Sequence, residues 1–125
     1  MSDLPLLLGH RGARASTSAP ENTPASFDLA LEHGCHGFEF DVRLAGGGRF
    51  VVCHDPAVES ITISQATANQ LTYLPLLEDV LQRYSQRAFL DIELKVAGME
   101  SKILGLLREY RMEERYVFRL FCPRS

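Results

Sequence analysis

Two histidines and three carboxylates, His10, Glu39, Asp41, His54 and Glu93, each stand where a short apolar run gives way to polar sequence. Imidazoles move protons near neutral pH and carboxylates hold cations, so these residue types brought together suit metal-assisted acid/base chemistry. Carboxylate ligands with no thiolate among them favour a hard divalent ion, Mg²⁺ or Ca²⁺, over zinc.

Delivering such groups to one place requires strands. His10 closes Leu6-Leu7-Leu8-Gly9-His10-Arg11-Gly12, a buried strand running into a glycine-bounded loop. In Gly37-Phe38-Glu39-Phe40-Asp41-Val42-Arg43-Leu44, alternation points Glu39, Asp41 and Arg43 to one face and the apolar residues to the other. His54 closes Phe50-Val51-Val52-Cys53-His54-Asp55. In Phe89-Leu90-Asp91-Ile92-Glu93-Leu94-Lys95, Asp91, Glu93 and Lys95 share a face by the same period of two. Tyr116-Val117-Phe118 reads as a fifth strand.

Helical patterns separate these runs. Asn22 or Thr23 caps a helix with Pro24 at its first position, Phe27, Ala30 and Leu31 on its apolar side and Gly34 as its stop. Pro75 opens a second helix carrying Leu76, Leu77, Val80, Leu81 and Tyr84, and a third spans residues 99–110. Strand and helix in repetition predict a parallel α/β sheet of the (β/α) barrel type, with its chemistry at the strand C-termini. One link is irregular: only Ala45-Gly46-Gly47-Gly48-Arg49 separates the second strand from the third, too short for a helical crossover, so either an extended return or a hairpin stands there. Residues 55–73 form a polar loop over the strand ends, with one short helical stretch at 64–71.

Each residue also has a plainer role. His10 and His54 could be hydrogen-bonded strand-end residues, Glu39 and Asp41 an exposed strand face, and Glu93 a partner for Lys95. The phenylalanines flanking Glu39 and Asp41 argue that helices cover that strand and that its carboxylates face an interior, where charge is costly without a cation. His33 and His36, beside the helix stop, read as surface residues.

Taken together, Gly9-His10-Arg11-Gly12, Pro20-Glu21-Asn22-Thr23, Glu39-Phe40-Asp41-Val42, Val52-Cys53-His54-Asp55, Leu74-Pro75-Leu76-Leu77-Glu78 and Asp91-Ile92-Glu93-Leu94-Lys95 resemble the glycerophosphodiester phosphodiesterase family, in the family's order. The resemblance implies a TIM-type barrel that hydrolyses glycerophosphodiesters to glycerol 3-phosphate and an alcohol with a divalent cation, Mg²⁺ or Ca²⁺. It implies His10 and His54 as the catalytic pair, Glu39, Asp41 and Glu93 as metal ligands, and Arg11 and Lys95 as phosphate contacts.

The bulk properties agree with a small-molecule substrate. A net charge of -3 with scattered basic residues excludes a nucleic-acid surface. The longest apolar run, residues 4–8, falls far short of the roughly 20 needed to span a membrane. Three cysteines without metal-type spacing point to a reducing, cytoplasmic setting.

A (β/α)₈ barrel takes about 250 residues. The 125 here correspond to the N-terminal half, four to five strands of eight, as one unit over residues 1–125. The closing Phe118-Arg119-Leu120-Phe121-Cys122-Pro123-Arg124-Ser125 departs from the family pattern, as a truncated or frameshifted reading frame would. Open strand edges at residues 6–9 and 116–118 are expected to recruit a second copy. Two other functions remain open: a non-catalytic fragment or assembly module, and a related phospholipase of the phosphatidylinositol or sphingomyelin type.

Overall fold

The computed structural model describes residues 6–12, 20–58 and 60–121. The start of the apolar run at residues 4–8 and the closing Cys122-Pro123-Arg124-Ser125 lie outside them.

Strand β1 (Leu8–His10) runs into a turn at Arg11-Gly12, and helix α1 (Pro24–Glu32) is the next described element. Thr23 is the N-cap, its hydroxyl accepting from the Ser26 amide, and Pro24 fills the first helical position, where a missing N–H costs nothing. Gly12, at φ +84°, lets the turn lie against α1. A Cβ there would stand 2.3 Å from the Ser26 hydroxyl. Strand β2 (Gly37–Leu44) follows, then β3 (Phe50–Val52), a small hairpin of β4 (Ala57–Val58) and β5 (Ile61–Thr62), helix α2 (Leu77–Tyr84), strand β6 (Phe89–Leu94), helix α3 (Glu100–Glu109) and strand β7 (Tyr116–Leu120).

The main sheet runs β1-β2-β6-β7, all parallel, with β3 added to β2. This is an α/β partial barrel of five strands, unclosed among the described residues. The short glycine link settles the irregular connection as a hairpin: β3 runs antiparallel to β2, with Val42 opposite Val52, closed by the Ala45 amide on the Arg49 carbonyl. His54 therefore follows a reversed strand rather than ending a parallel one. Because β1 pairs only with residues 37–39 of β2 and β3 only with 42–44, the reversed strand brings His54 down toward the level of Asp41, whose carbonyl accepts from the Cys53 amide.

Two element boundaries differ from the sequence pattern. Helix α2 begins at Leu77, because Leu76 is extended and bridged to Val51 while the Pro75 carbonyl accepts from the Val52 amide. Residues 63–65 and 68–71 form two separate 3₁₀ turns in place of one short helix.

Helices α1, α2 and α3 cover the apolar face of the sheet. Phe27 of α1 stacks on Phe38 of β2 at 4.1 Å between ring centres, and Tyr84 of α2 meets Phe38 edge-on at 5.0 Å. Phe38, Phe40, Val42, Leu90, Ile92 and Leu94 are all fully buried, as the alternation predicts. The other face carries the charge.

Candidate active site

The register of the sheet assembles the ionisable residues. His10 lies opposite Glu39, Glu39 opposite Asp91, Asp41 opposite Glu93, and Glu93 opposite Arg119. Side chains directly across parallel strands point the same way, so these groups form one charged patch across four strands.

His10 Nδ1 lies 2.8 Å from Glu39 Oε2, and His54 Nδ1 lies 2.9 Å from Asp55 Oδ1. An ionised carboxylate can only accept, so each imidazole carries its proton on Nδ1 and leaves Nε2 for proton exchange. The main chain of His54 is held as well: Arg43 donates Nε and Nη2 to its carbonyl at 2.9 and 2.6 Å.

Asp41 is buried at the centre of the patch. Asn22, at φ +57°, donates Nδ2 to Asp41 Oδ2 at 3.1 Å, and its own amide donates to the Arg11 carbonyl. The Pro20-Glu21-Asn22-Thr23 turn thus does more than cap a helix: it orients a site carboxylate. Arg11 Nη1 reaches Glu21 at 3.0 Å, and Lys95, only 6% exposed, holds Glu93 at 2.7 Å and Asp41 at 3.8 Å. Lys95 Nζ also sits 4.0 Å over the Phe121 ring.

Burial pushes the Glu39 carboxyl above its ordinary range, and the neighbouring Asp41, Asp91 and Glu93 add to the rise against the pull of His10. Burial likewise raises Asp41, with its hydrogen bond to Glu93 adding to the rise and Asn22 and Lys95 opposing it. Burial would raise Glu93 too, but bonds from Lys95 and Asp41 and the charge of Arg119 outweigh it and hold Glu93 low.

Two polar atoms of the patch are buried without a hydrogen-bond partner among the described residues: Glu39 Oε1 and Arg11 Nε. Arg11 Nε lies 3.3 Å from Asp41 Oδ2, near enough for charge attraction but outside hydrogen-bond alignment.

The predicted residues His10, Arg11, Glu39, Asp41, Glu93 and Lys95 are therefore linked through one network, and His54 adjoins it through Arg43 and Cys53. Among the described residues, no three carboxylate, imidazole or thiol side chains converge in metal-ligand geometry. The carboxylates are turned onto Lys95 and Arg119 instead. Sequence reasoning made Asn22 a turn and helix-cap residue first and a site contact only second, and it passed over Asp55, Asp91 and Arg119 as site residues. The period-two phase of β6 marked Asp91, but Arg119 carried no signal until the β6–β7 register placed it beside Glu93.

A cleft of about 250 Å³ adjoins His54, between the Glu21-Asn22-Thr23 turn and the Tyr73-Leu74-Pro75 segment. No helix among the described residues is long and apolar enough to cross a membrane.

Residues 10–104 match the glycerophosphoryl diester phosphodiesterase family. A glycerophosphodiester phosphodiesterase from Caldanaerobacter subterraneus subsp. tengcongensis is 31% identical over 93% of this chain and 58% of its own length. The crystal structure of the glycerophosphodiester phosphodiesterase from Thermotoga maritima superposes with a TM-score of 0.83 at 28% identity, over 97% of this chain and 56% of that one. An Oleispira antarctica phosphodiesterase in complex with the product sn-glycerol-3-phosphate superposes with a TM-score of 0.78 at 27% identity, over 95% of this chain and 58% of that one. The chain thus spans a little over half the length of these relatives.

Proposed function

Because the chain belongs to the glycerophosphoryl diester phosphodiesterase family, we propose that its charged patch is the half-site that hydrolyses glycerophosphodiesters to glycerol 3-phosphate and an alcohol. The observation that carries this reading is the pair of orphaned buried atoms. Among the described residues, Glu39 Oε1 on β2 is an acceptor with no donor, and Arg11 Nε, on the residue that follows β1, is a donor with no aligned acceptor. A cation beside a phosphate satisfies both.

The donor set fits a hard divalent cation, Mg²⁺ or Ca²⁺, since it is all oxygen and Glu39 Oε1 stays free while Oε2 holds His10. Glu39, Asp41 and Glu93 would hold the ion, which when bound withdraws charge from the phosphoryl oxygens. Arg11 and Lys95 bind the phosphate, Arg11 through Nε and Lys95 through the side of its amine not engaged by Glu93.

The histidines move the protons. One Nε2 takes the proton of the glycerol hydroxyl adjacent to the phosphoester, whose oxygen attacks phosphorus. The P–O bond to the alcohol breaks, and the other Nε2 protonates the departing oxygen. Water then opens the resulting five-membered cyclic phosphate with the roles exchanged. Glu39 and Asp55 hold the two rings in the tautomer this needs. The cleft beside His54 receives the departing alcohol, and its modest volume suits a small head group. A cytoplasmic setting and a role as the N-terminal half of a barrel belong to the same proposal.

The family match favours this reading over the phosphatidylinositol- or sphingomyelin-type phospholipase. The test is release of glycerol 3-phosphate from glycerophosphocholine with and without Mg²⁺ or Ca²⁺. Ion-dependent release supports the enzyme. Ion binding without release in the folded chain would support the non-catalytic fragment.

A further inference from the structure

Arg119 stands where a cation is wanted. From the edge strand β7 its guanidinium forks onto Asp91, Nε to Oδ1 at 3.2 Å and Nη2 to Oδ2 at 3.3 Å. The same group reaches Glu39 Oε2 at 3.9 Å through Nη2 and Glu93 Oε1 at 3.8 Å through Nη1. It therefore faces two of the three carboxylates assigned above to the divalent ion, while Lys95 faces the third.

We propose that Arg119 is a built-in competitor for the divalent cation, anchored on Asp91 and held over Glu39 and Glu93, so that ion binding requires its displacement. The inference rests on the metal reading given above.

The two basic groups of the patch differ in a way that singles out Arg119. Lys95 is 6% exposed, tied at 2.7 Å to Glu93 and capped by Phe121, so it has no route outward. The Arg119 side chain is 48% exposed, and its contacts with Glu39 and Glu93 are charge attractions near 4 Å rather than aligned hydrogen bonds. It can rotate into solvent, remaining near Asp91, at modest cost. Arg119 and a divalent ion both draw on the excess negative charge of Glu39, Asp41, Asp91 and Glu93, and two cations so close repel each other. Asp91, which touches neither histidine, then has a purpose: it is the anchor that keeps the competitor in place.

The experiment is calorimetric titration of Ca²⁺ into the wild-type chain and Arg119→Met, which keeps the aliphatic stem and removes the charge. Arg83→Met is the control, because Arg83 pairs with Asp28 on the helical side of the sheet. Ca²⁺ should bind Arg119→Met about tenfold more tightly than wild type, a change expected for removing one half-exposed contact charge, and Arg83→Met should bind as wild type. Measurable binding in Arg119→Met with none in wild type would be the strongest form of the same result. Equal affinity in wild type and Arg119→Met overturns the competition but leaves the metal reading intact, and equal tightening in Arg83→Met overturns it as a bulk-charge effect. Absence of binding in all three removes the metal reading and the inference with it. Should circular dichroism show Arg119→Met unfolded, Arg119→Gln, which can still donate to Asp91, decides the question by the same comparison.

Discussion

His10 Nδ1 is bonded at 2.8 Å to one oxygen of Glu39, while the other oxygen of that carboxylate is buried with no hydrogen-bond partner among the described residues. In the proposed reading one residue serves two tasks: it sets the tautomer of a proton-transferring imidazole and offers its second oxygen to a cation. The pairing arises from register, since β1 and β2 place the two residues directly opposite each other.

Replacing either histidine should remove the proton relay. His10→Ala and His54→Ala are each expected to lower release of glycerol 3-phosphate by roughly a hundredfold or more, the usual scale for losing a general acid or base. Cation affinity should change little, because neither ring is assigned as a ligand. A near wild-type rate in one variant would take that histidine out of the mechanism.

Glu39→Gln removes the charge but keeps the shape. Calorimetry with Mg²⁺ and with Ca²⁺ should show binding lost or sharply weakened, and an unchanged isotherm would end its assignment as a ligand.

The same substitution reads the cost of burying that charge. The folded-state pKa of Glu39 is raised from 4.5, so folding makes this carboxyl easier to protonate than it is in the unfolded chain. Its contribution to stability is full below the unfolded value and is lost as pH rises through the raised folded value. In ion-free buffer, the melting temperature of Glu39→Gln relative to wild type should therefore increase between about pH 4 and pH 8. A relative melting temperature that falls over this window would contradict the direction of the shift.

Gly37 is a packing constraint rather than a turn residue. A Cβ there would lie 1.7 Å from the Phe89 carbonyl oxygen of β6. Gly37→Ala must push two central strands apart and should cost at least about 3 kcal/mol, at or above the usual range for overpacking. Urea unfolding that shows a loss below about 1 kcal/mol would mean the strands give way easily.

Both edges of the main sheet carry exposed apolar residues: Leu6 and Leu7 beside β1, and Val117, Leu120 and Phe121 on or beside β7. Unpaired edges of this kind recruit other chains. A two-fold dimer is the expected form at micromolar concentration, by the commonness of closed pairs. Light scattering over a dilution series should give a mass that falls on dilution, and a constant monomer mass would refute the association.

The local patterns carried much of this protein. Alternation in residues 37–44 and 89–95 put Phe38, Phe40, Leu90 and Ile92 in the core and Glu39, Asp41, Asp91 and Glu93 on the opposite face, because a pleated strand turns successive side chains to opposite sides. Thr23 and Pro24 marked the start of α1, because capping and the missing proline N–H are one-residue effects. What no local pattern could decide was the partner of each strand. The hairpin that reverses β3 and lowers His54 toward Asp41, the Asn22 bond to that carboxylate, and the placing of Arg119 over Glu39 and Glu93 all depend on inter-strand register. Register is settled by the burial of whole faces against α1, α2 and α3, with contacts spanning up to 80 residues between Glu39 and Arg119. Residue type and phase named the chemistry, and only the tertiary pairing decided which cation faces which carboxylate.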